Sequence, residues 1–544
     1  MKKIFKQYDI EFNDDTFCIY VNNLKWFEFP VSSAIDTQSA DDDFAAINHT
    51  IAEAEDSITV RYFTSSNLWE EKIYTITANE DGFHYTIKVK GYGKINKIRY
   101  FTNSRAKVFY ETAGYLLPKA EHKTHSNCIY DVYKENTIDS WYFSPPPFVF
   151  PFFVEGADGW FGLGLTAKPG EYNFDVFNFK VPFGLELPLY NRTEVCGEKE
   201  LQGIWGGYGE TDIAVIKNYS EWHYNTGLCN KRDFSDSPKW WRNPIFCGWG
   251  EQQGLAAKVR TAPNAPNVVS STMATQENYE KMIQTLDENS LPYGTIIIDA
   301  KWQERYGNPV VDKVKWPDMR GFVDKMHAKG KKVLLWIKSW DPEGLNREEG
   351  VQLLCNLVAA DPTNPSYRDR VKNDIRHMLS DEKDCLNCDG FKIDFINCFP
   401  KGENIETHQR GIYGVELMKS WLSLVYKNAK SIKSDALINA SCAHPYMADV
   451  IDQMRLHDYD DHMRSARSIL GYRAEIVNAV YPGISIDCDA GGIESYRDFQ
   501  RYIEYQPQIG VPDLYYLSRK DGTPFSSEDF NYIGEIWNKY MKEI

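Results

Sequence analysis

The run GFKIDFINC, Gly390 to Cys398, carries Lys392 and Asp394 two residues apart inside an otherwise apolar stretch. Side chains alternate along a strand, so that spacing puts both on one face. Charges are rarely buried without a partner, and the lysine is the partner expected to keep Asp394 ionised. Other apolar runs also end in polar or aromatic residues: Trp249; Asp299 and Trp302; Lys338 and Trp340; Cys442; His457 and Asp458; Asp487 and Asp489. A strand-end aspartate is more often a helix cap or turn residue than a catalyst, and Asp460 and Asp461, in a polar loop, suit that description. Asp394 differs, because Phe395 and Ile396 continue the apolar run beyond it. Two carboxyl groups across a cleft suit cleavage of a glycosidic bond, where one attacks or activates water and the other protonates the leaving oxygen. The acid needs a raised pKa in a less polar setting, whereas the nucleophile must stay charged beside a cation. Asp394 with Lys392 fits the nucleophile, and Asp458, beside His457 and Leu456, fits the acid. The stretch HDYDD leaves Asp460 and Asp461 as alternatives for the acid.

The elements that must carry these residues follow from the patterning. Up to about Ser220 the chain is a series of short alternating runs, among them DTFCIYVNN, SITVRYFTSS, EKIYTITANEDGFHYTIKVKG, GWFGLGLTA and YNFDVFNFKVPFG, with turn signals such as NEDG and GADG between them. This is the pattern of an all-β sandwich, expected over 1–220. Residues 221–242 are polar and aromatic without a period and read as a linker. From Asn243 the pattern changes to apolar runs alternating with amphipathic stretches. The runs are PIFCGW, YGTIIIDAKW, KKVLLWIKSW, DGFKIDFIN, ALINAS, DQMRLHD, GISIDCD and GVPDLYY. Eight strands alternating with helices over 243–544 predict a (β/α)8 TIM barrel, so the fold class is α/β plus all-β. The unit between ALINAS and DQMRLHD is compressed and has room only for a short helix. The sequence ends with the helical stretch DFNYIGEIWNKYMKEI, and no further C-terminal domain is expected. In such barrels the active site lies at the C-terminal ends of the strands, where the listed polar residues fall.

Composition narrows the function classes. The balance of 61 basic against 77 acidic residues gives a net charge of −16, with no basic stripe to meet phosphates, so nucleic acid is not an expected partner. No run approaches the roughly 18 to 20 apolar residues of a membrane span. The 11 cysteines lack a framework spacing and the basic start MKKIFKQYDIEFNDD has no apolar segment behind it, which favours a reducing cytoplasmic location. CLNC at Cys385 to Cys388 lacks a second pair and reads as free thiols, and HKTH at His122 and His125 reads as a surface loop. Barrel metallohydrolases need a His-x-His at the first strand. CGWGEQ stands there instead, so no catalytic metal and no cofactor are expected. The chain is rich in aromatics (15 Trp and 34 Tyr), and Trp249, Trp302 and Trp340, at the strand ends, are read as sugar-stacking residues.

From about Asn243 to Tyr516 the sequence resembles the retaining α-glycosidases of the superfamily that joins glycoside hydrolase families 31 and 36, the α-glucosidase/α-xylosidase and α-galactosidase/raffinose-synthase-like groups. IIIDAKWQ with KWPDMRGFVDKMHAKGKKVLLWIKSW is similar to their second and third βα units, and ADPTNPSYRDRV to the Asp-x-x-Asn-Pro segment before their fourth strand. FKIDFIN matches the Lys-x-Asp nucleophile strand, which implies Asp394 as nucleophile and Lys392 as a sugar-hydroxyl ligand. ASCAHPYMADVIDQMRLHDYDDHMRS is similar to the family 36 stretch from the Cys-containing loop, at Cys442, to the Ser-Asp acid/base. That places the acid/base on Asp458 and a sugar-binding arginine on Arg464. DAGGI, which contains Asp489, is similar to the Asp-Ile-Gly-Gly-Phe motif of family 31. The resemblance further implies that Asp299 holds outer hydroxyls of the terminal sugar and that the sandwich contributes a loop to the pocket. His457 stands where the usual residue is Ser, the GGGR loop is replaced by AHPYM, and the Trp-x-Asp-Met-Asn-Glu form of family 31 is absent. The expectation is a retaining, exo-acting α-glycosidase, most similar to α-galactosidases, acting on an oligosaccharide or glycoside. A transglycosidase of the same fold and a catalytically inert carbohydrate-binding protein remain as alternatives. The sugar, its linkage and a homo-oligomeric state are left open.

Overall fold

The computed structural model describes residues 1–42, 48–102, 109–110, 148–154, 156–180, 183–261, 268–354, 356–458, 465–493, 495–519 and 522–544. Its N-terminal part is two antiparallel sheets face to face. One has the order Lys2–Ile4, Asp9–Phe12, Thr16–Val21, Leu24–Pro30, Phe109–Tyr110. The other runs Val149–Phe152, Trp160–Thr166, Gly184–Gly209, Gly82–Tyr100, Glu71–Asn79, Ser57–Thr64, Asn48–Glu53. Strands such as Ser57–Thr64 and Glu71–Asn79 bury alternate residues, as a half-buried strand requires. The space between the sheets is filled by aromatics from both, with Phe17 of the first 5.5 Å from Phe83 of the second, and Phe27 5.6 Å from Phe152. The NEDG signal closes a hairpin in which Asn79 pairs with Gly82. At Gly82 φ is +130°, and a Cβ would lie 2.3 Å from the Gly206 carbonyl oxygen, so only glycine serves there.

Two parts of this region depart from the sequence reading. Among the described residues of YNFDVFNFKVPFG, Asn178–Lys180 is strand and Gly184 begins the next; the residues before Asn178 dock on the barrel, where Glu416 N–H donates to Tyr172 O (2.9 Å) and Val415 N–H to Phe174 O (3.0 Å). The expected boundary at 220/221 falls inside a helix, Asp212–Asn225, which buries Val215, Ile216 and Tyr219. The residues after it are not a loose tether: Arg232 binds Asp452 at 2.8 Å, and the Trp241 carbonyl accepts from Gln453 Nε2 at 2.8 Å.

All eight predicted barrel strands are present: β1 Ile245–Cys247, β2 Thr295–Ile298, β3 Lys332–Lys338, β4 Gly390–Asp394, β5 Leu437–Ala440, β6 Gln453–Arg455, β7 Ser485–Asp487 and β8 Asp513–Leu514. They pair in parallel in chain order, β8 pairs with β1, and a parallel bridge from Asp487 to Val511 closes the ring. The predicted amphipathic stretches are helices Met319–Ala328, Pro365–Leu379, Gly414–Ile432 and Ser527–Glu543. The second of these shows why the local sequence folds so: Asn364 Oδ1 accepts from Ser366 N–H at 2.9 Å as its cap, with Pro365 at the first helical position. The compressed unit between β5 and β6 holds only the short turn Pro445–Met447. No helix of the described residues is long and apolar enough to cross a membrane.

Candidate active site

The barrel interior is lined by residues that period-two alternation turns inward. In β4 these are Lys392 and Asp394, which stand in register with Trp336 and Lys338 of β3. The expected pairing of Lys392 with Asp394 is corrected by the structure. Lys392 Nζ reaches across the barrel floor to Asp299 Oδ2 (2.9 Å), the Tyr515 hydroxyl (2.9 Å) and Cys247 Sγ (3.4 Å), and both charged side chains are only 3% exposed. Burial opposes the ammonium most strongly, but the surrounding negative charges, Asp299 first among them and Asp489 behind it, together hold its pKa well above the ordinary lysine value. Asp299 is itself fixed from behind: its N–H donates to the Tyr279 hydroxyl (2.8 Å), which donates to Gln252 Oε1 (2.9 Å).

The cation that serves Asp394 is Arg455, at the end of β6. Its Nη2 lies 2.7 Å from Asp394 Oδ1 and its Nη1 2.6 Å from Asp489 Oδ2 and 3.7 Å from Asp458 Oδ1. One buried guanidinium therefore gathers three carboxyl groups from β4, the β6 end and the β7 end. Asp394 Oδ1 also accepts from its neighbour Phe395 N–H (3.0 Å), while Oδ2 accepts from Trp336 Nε1 (3.1 Å). Burial raises the Asp394 carboxyl, yet Arg455 and then His457 reverse this and hold it well below the usual carboxylate range. Among these contacts Oδ2 has a single donor, so it keeps the larger free acceptor capacity of the two oxygens.

His457 Nδ1 accepts the Asp458 N–H at 2.8 Å, so its proton sits on Nε2, which lies 3.5 Å from Asp394 Oδ1. Burial and the nearby Arg455 lower its pKa to about 3, which keeps the ring neutral. Asp458 behaves in the opposite way to Asp394. Burial, then the Asp489 charge, push it up to about 7 despite Arg455, and its side chain is 35% exposed at the mouth. Asp489 is held ionised by Arg455 and Lys392 against its burial; its Oδ1 accepts from Gly491 N–H at 3.0 Å. A Cβ at Gly491 would stand 2.7 Å from Asp458 Oδ1, so the bare glycine is what lets this turn close over the Asp458 carboxyl. Asp487 points into the barrel, accepting from Asn439 Nδ2 (2.7 Å) and from Asp489 N–H (3.0 Å).

The structure thus brings together Asp394, Asp458, Lys392, Asp299, His457 and Asp489 of the predicted set. It does not bring the others into this cluster. Trp302 is fully buried and donates from Nε1 to Trp336 O (2.8 Å); Trp340 is buried and donates to Ile396 O (3.0 Å). Both are packed in the interior, and the Trp340 ring lies 5.7 Å from that of Trp421 on helix Gly414–Ile432. Trp249 is half-buried at the start of the helix after β1. Lys338 pairs with Asp341 at 2.5 Å over the Tyr306 ring. Cys442 is fully buried, its N–H on Met454 Sδ and its thiol pushed up to about 12 by burial, so it is a core residue and not a ligand. Arg464, Asp460, Asp461, His122 and His125 lie outside the described residues. Cys385 and Cys388 are buried free thiols. Arg455, Trp336 and Tyr515 were missed by the sequence reading, although each stands on the inward face by the same alternation that singled out Lys392 and Asp394.

Four non-glycine residues just past the strand ends have left-handed backbone: Trp340 (φ 66°), Phe395 (58°), His457 (68°) and Asp489 (38°). Such conformations cost about 1–3 kcal/mol each and cluster where side chains are aimed for function.

Residues 267–429 match the model of the glycosyl hydrolases family 31 TIM-barrel domain. No curated protein sequence matches the chain. Among solved structures, an α-N-acetylgalactosaminidase from Bifidobacterium bifidum is similar over 100% of this chain and 93% of its own, with a TM-score of 0.64 and 11% identity. A family 31 sulfoquinovosidase from E. rectale covers 98% of this chain and 82% of its own (TM-score 0.57, 13% identity). An α-galactosidase from Thermus thermophilus covers 90% of this chain and 99% of its own (TM-score 0.51, 13% identity). At these identities the likeness is one of fold.

Proposed function

We propose that the barrel, of which residues 267–429 match the TIM-barrel domain of glycosyl hydrolase family 31, belongs to that family, and that the protein is a retaining, exo-acting α-glycosidase with Asp394 as nucleophile and Asp458 as acid/base. The observation that carries this reading is the opposite treatment of two carboxyl groups around one guanidinium: Asp394 held ionised, Asp458 pushed up to about 7. A nucleophile and an acid need such divergent settings. Asp394 attacks the anomeric carbon through its less encumbered Oδ2 and forms a covalent glycosyl-enzyme, while Asp458 gives its proton to the departing oxygen. Asp458, now ionised beside Arg455, takes a proton from water, and the hydroxide equivalent releases the sugar. Asp299 and Lys392, locked together beside the nucleophile, offer a paired acceptor and donor to the hydroxyls of the terminal sugar.

For the sugar itself we carry a galactose-configured residue, galactose or N-acetylgalactosamine; a panel of aryl α-glycosides of galactose, N-acetylgalactosamine, glucose and xylose tests it. The intermediate is tested by incubation with a mechanism-based inactivator and mass spectrometry, with one label expected on Asp394 and none in Asp394→Ala. An active Asp394→Ala variant refutes the mechanism. Asp458→Ala should lose least on aryl glycosides with good leaving groups, because protonation then matters less; an equal loss on all substrates moves the acid to Asp460 or Asp461. We also place the protein in a reducing compartment, in keeping with the free thiols of its described cysteines; fractionation of cells that express it tests this.

A further inference from the structure

We infer that Arg473 is a positioning residue for the acid/base, acting through the backbone of the turn that carries Asp458. Beyond β6 the chain leaves the sheet ladder: Leu456 N–H still donates to Asp487 O (3.1 Å), and His457 and Asp458 lie past the end of the strand. Arg473, on the inner face of helix Ala466–Val480, supplies the donor. Its Nη1 lies 2.8 Å from Leu456 O, 3.0 Å from His457 O and 3.1 Å from Asp458 O. Three consecutive carbonyl oxygens converge on one nitrogen because His457 is left-handed, which turns the chain back on itself. The Arg473 side chain is 4% exposed, so it holds these oxygens from the buried side of the turn, and charged donors make the stronger hydrogen bonds.

The arrangement works as a clamp on direction. With the three carbonyls drawn toward the helix, the Asp458 N–H is left facing His457 Nδ1 (2.8 Å), and the Asp458 side chain projects to the other side, toward Arg455 and the Gly491 turn. Arg473 touches neither nucleophile nor acid side chain in these contacts, and its effect is on where the acid's oxygens stand. A displacement on the order of 1 Å at a reacting group costs about 100-fold in rate. General-acid assistance is worth about 100- to 10,000-fold, so loss of the clamp should appear on the proton-transfer step alone.

This inference rests on the assignment of Asp458 as acid/base. The test compares Arg473→Met and Arg473→Lys with the unsubstituted protein on two substrates of the same sugar, an alkyl glycoside and a dinitrophenyl glycoside. For Arg473→Met the expected result is a fall in kcat/KM, which reports the step where Asp458 is the acid, of about 30-fold or more on the alkyl glycoside and less than about 3-fold on the dinitrophenyl glycoside. On the dinitrophenyl glycoside kcat and KM should fall together, because release of the sugar still needs Asp458 as base while the sugar ligands are untouched. Arg473→Lys, which keeps the charge and one donor at the same carbonyls, should recover at least about a third of the loss on a logarithmic scale. Equal losses on both substrates, or a lysine variant no better than methionine, overturn the inference. If Arg473→Met does not fold, the lysine variant decides alone by the same substrate contrast. Labelling by the mechanism-based inactivator separates the two levels: an unlabelled parent protein defeats the glycosidase reading, whereas normal labelling with no substrate contrast in the variants defeats only the role of Arg473.

Discussion

Replacing Asp489 by Asn removes one negative charge from beside the acid while keeping an oxygen for the Gly491 N–H. As the proposed acid, Asp458 must be protonated to act, so activity is expected to fall as pH rises through its pKa of about 7. After burial, the Asp489 charge is the main cause of that elevation. Asp489 Oδ2 and Asp458 Oδ1 lie 2.6 and 3.7 Å from the same Arg455 Nη1, so the two oxygens are no more than about 6 Å apart. At an effective dielectric of about 20, unit charges at about that distance repel by about 2.8 kcal/mol, equivalent to about 2 pKa units. The exposed third of the Asp458 side chain lets water and salt screen part of this, which leaves an expected fall of about 1 to 2 units. Freeing Arg455 to turn toward Asp458 acts in the same direction. The assay is the pH profile of kcat/KM on an alkyl glycoside, whose alkaline limb reports the acid of the free enzyme. The limb should move to lower pH in Asp489→Asn, so that the variant is most impaired near pH 7 and least below pH 5. A limb that stays in place, or moves upward, refutes the assignment of Asp489 as the group that keeps Asp458 protonated.

Lys392→Met strips the partner from a buried carboxylate and should cost about 3–5 kcal/mol in denaturant unfolding, while the double variant Asp299→Asn/Lys392→Met should recover part of that loss. Trp302→Ala should destabilise by about 3–5 kcal/mol as a core deletion, whereas Trp249→Ala should leave stability within about 1 kcal/mol and raise KM if its half-buried ring meets substrate. Glu416→Ala should cost about 1–3 kcal/mol by unpairing the Tyr172 N–H and the Tyr446 hydroxyl, which it holds at 3.3 and 2.9 Å. Thermal unfolding measures this loss at the seam between sandwich and barrel.

The barrel was legible because each of its eight strands is an apolar run between turn or helix signals, and the residues past those runs locate its mouth. Alternation put Lys392 and Asp394 on one face correctly, but it says nothing of what stands opposite. Across a closed ring the nearest ammonium in sequence need not be the nearest in space, and Asp299 takes the lysine while Arg455 takes the aspartate. Arg455 was open to discovery by the same rule: Gln453 and Arg455 in QMR, and Asp513 and Tyr515 in DLY, alternate as Lys392 and Asp394 do. Tryptophan misled for a related reason. Trp302 and Trp340 follow their strands closely enough to look like rim residues, yet the chain turns immediately and folds both rings under the loops, where each indole N–H finds a carbonyl. The docking segment around Tyr172 and Phe174 looked like strand because an aromatic run buried against another domain has the same composition as one buried in a sheet.

The left-handed residues at the ends of four barrel strands set a direction for any attempt to harden this protein against heat. Glycine at 395, 457 or 489 would relax the backbone and draw selection for thermal tolerance to these sites, whereas at 340 it would also empty a buried packing site and cost more than it relaxed. Each of the first three would delete a side chain from the mouth of the barrel, including the imidazole that faces Asp394 and the carboxylate beside Asp458. Robustness here therefore has to be sought in the sandwich and the outer helices, leaving the rim as uncomfortable as it is.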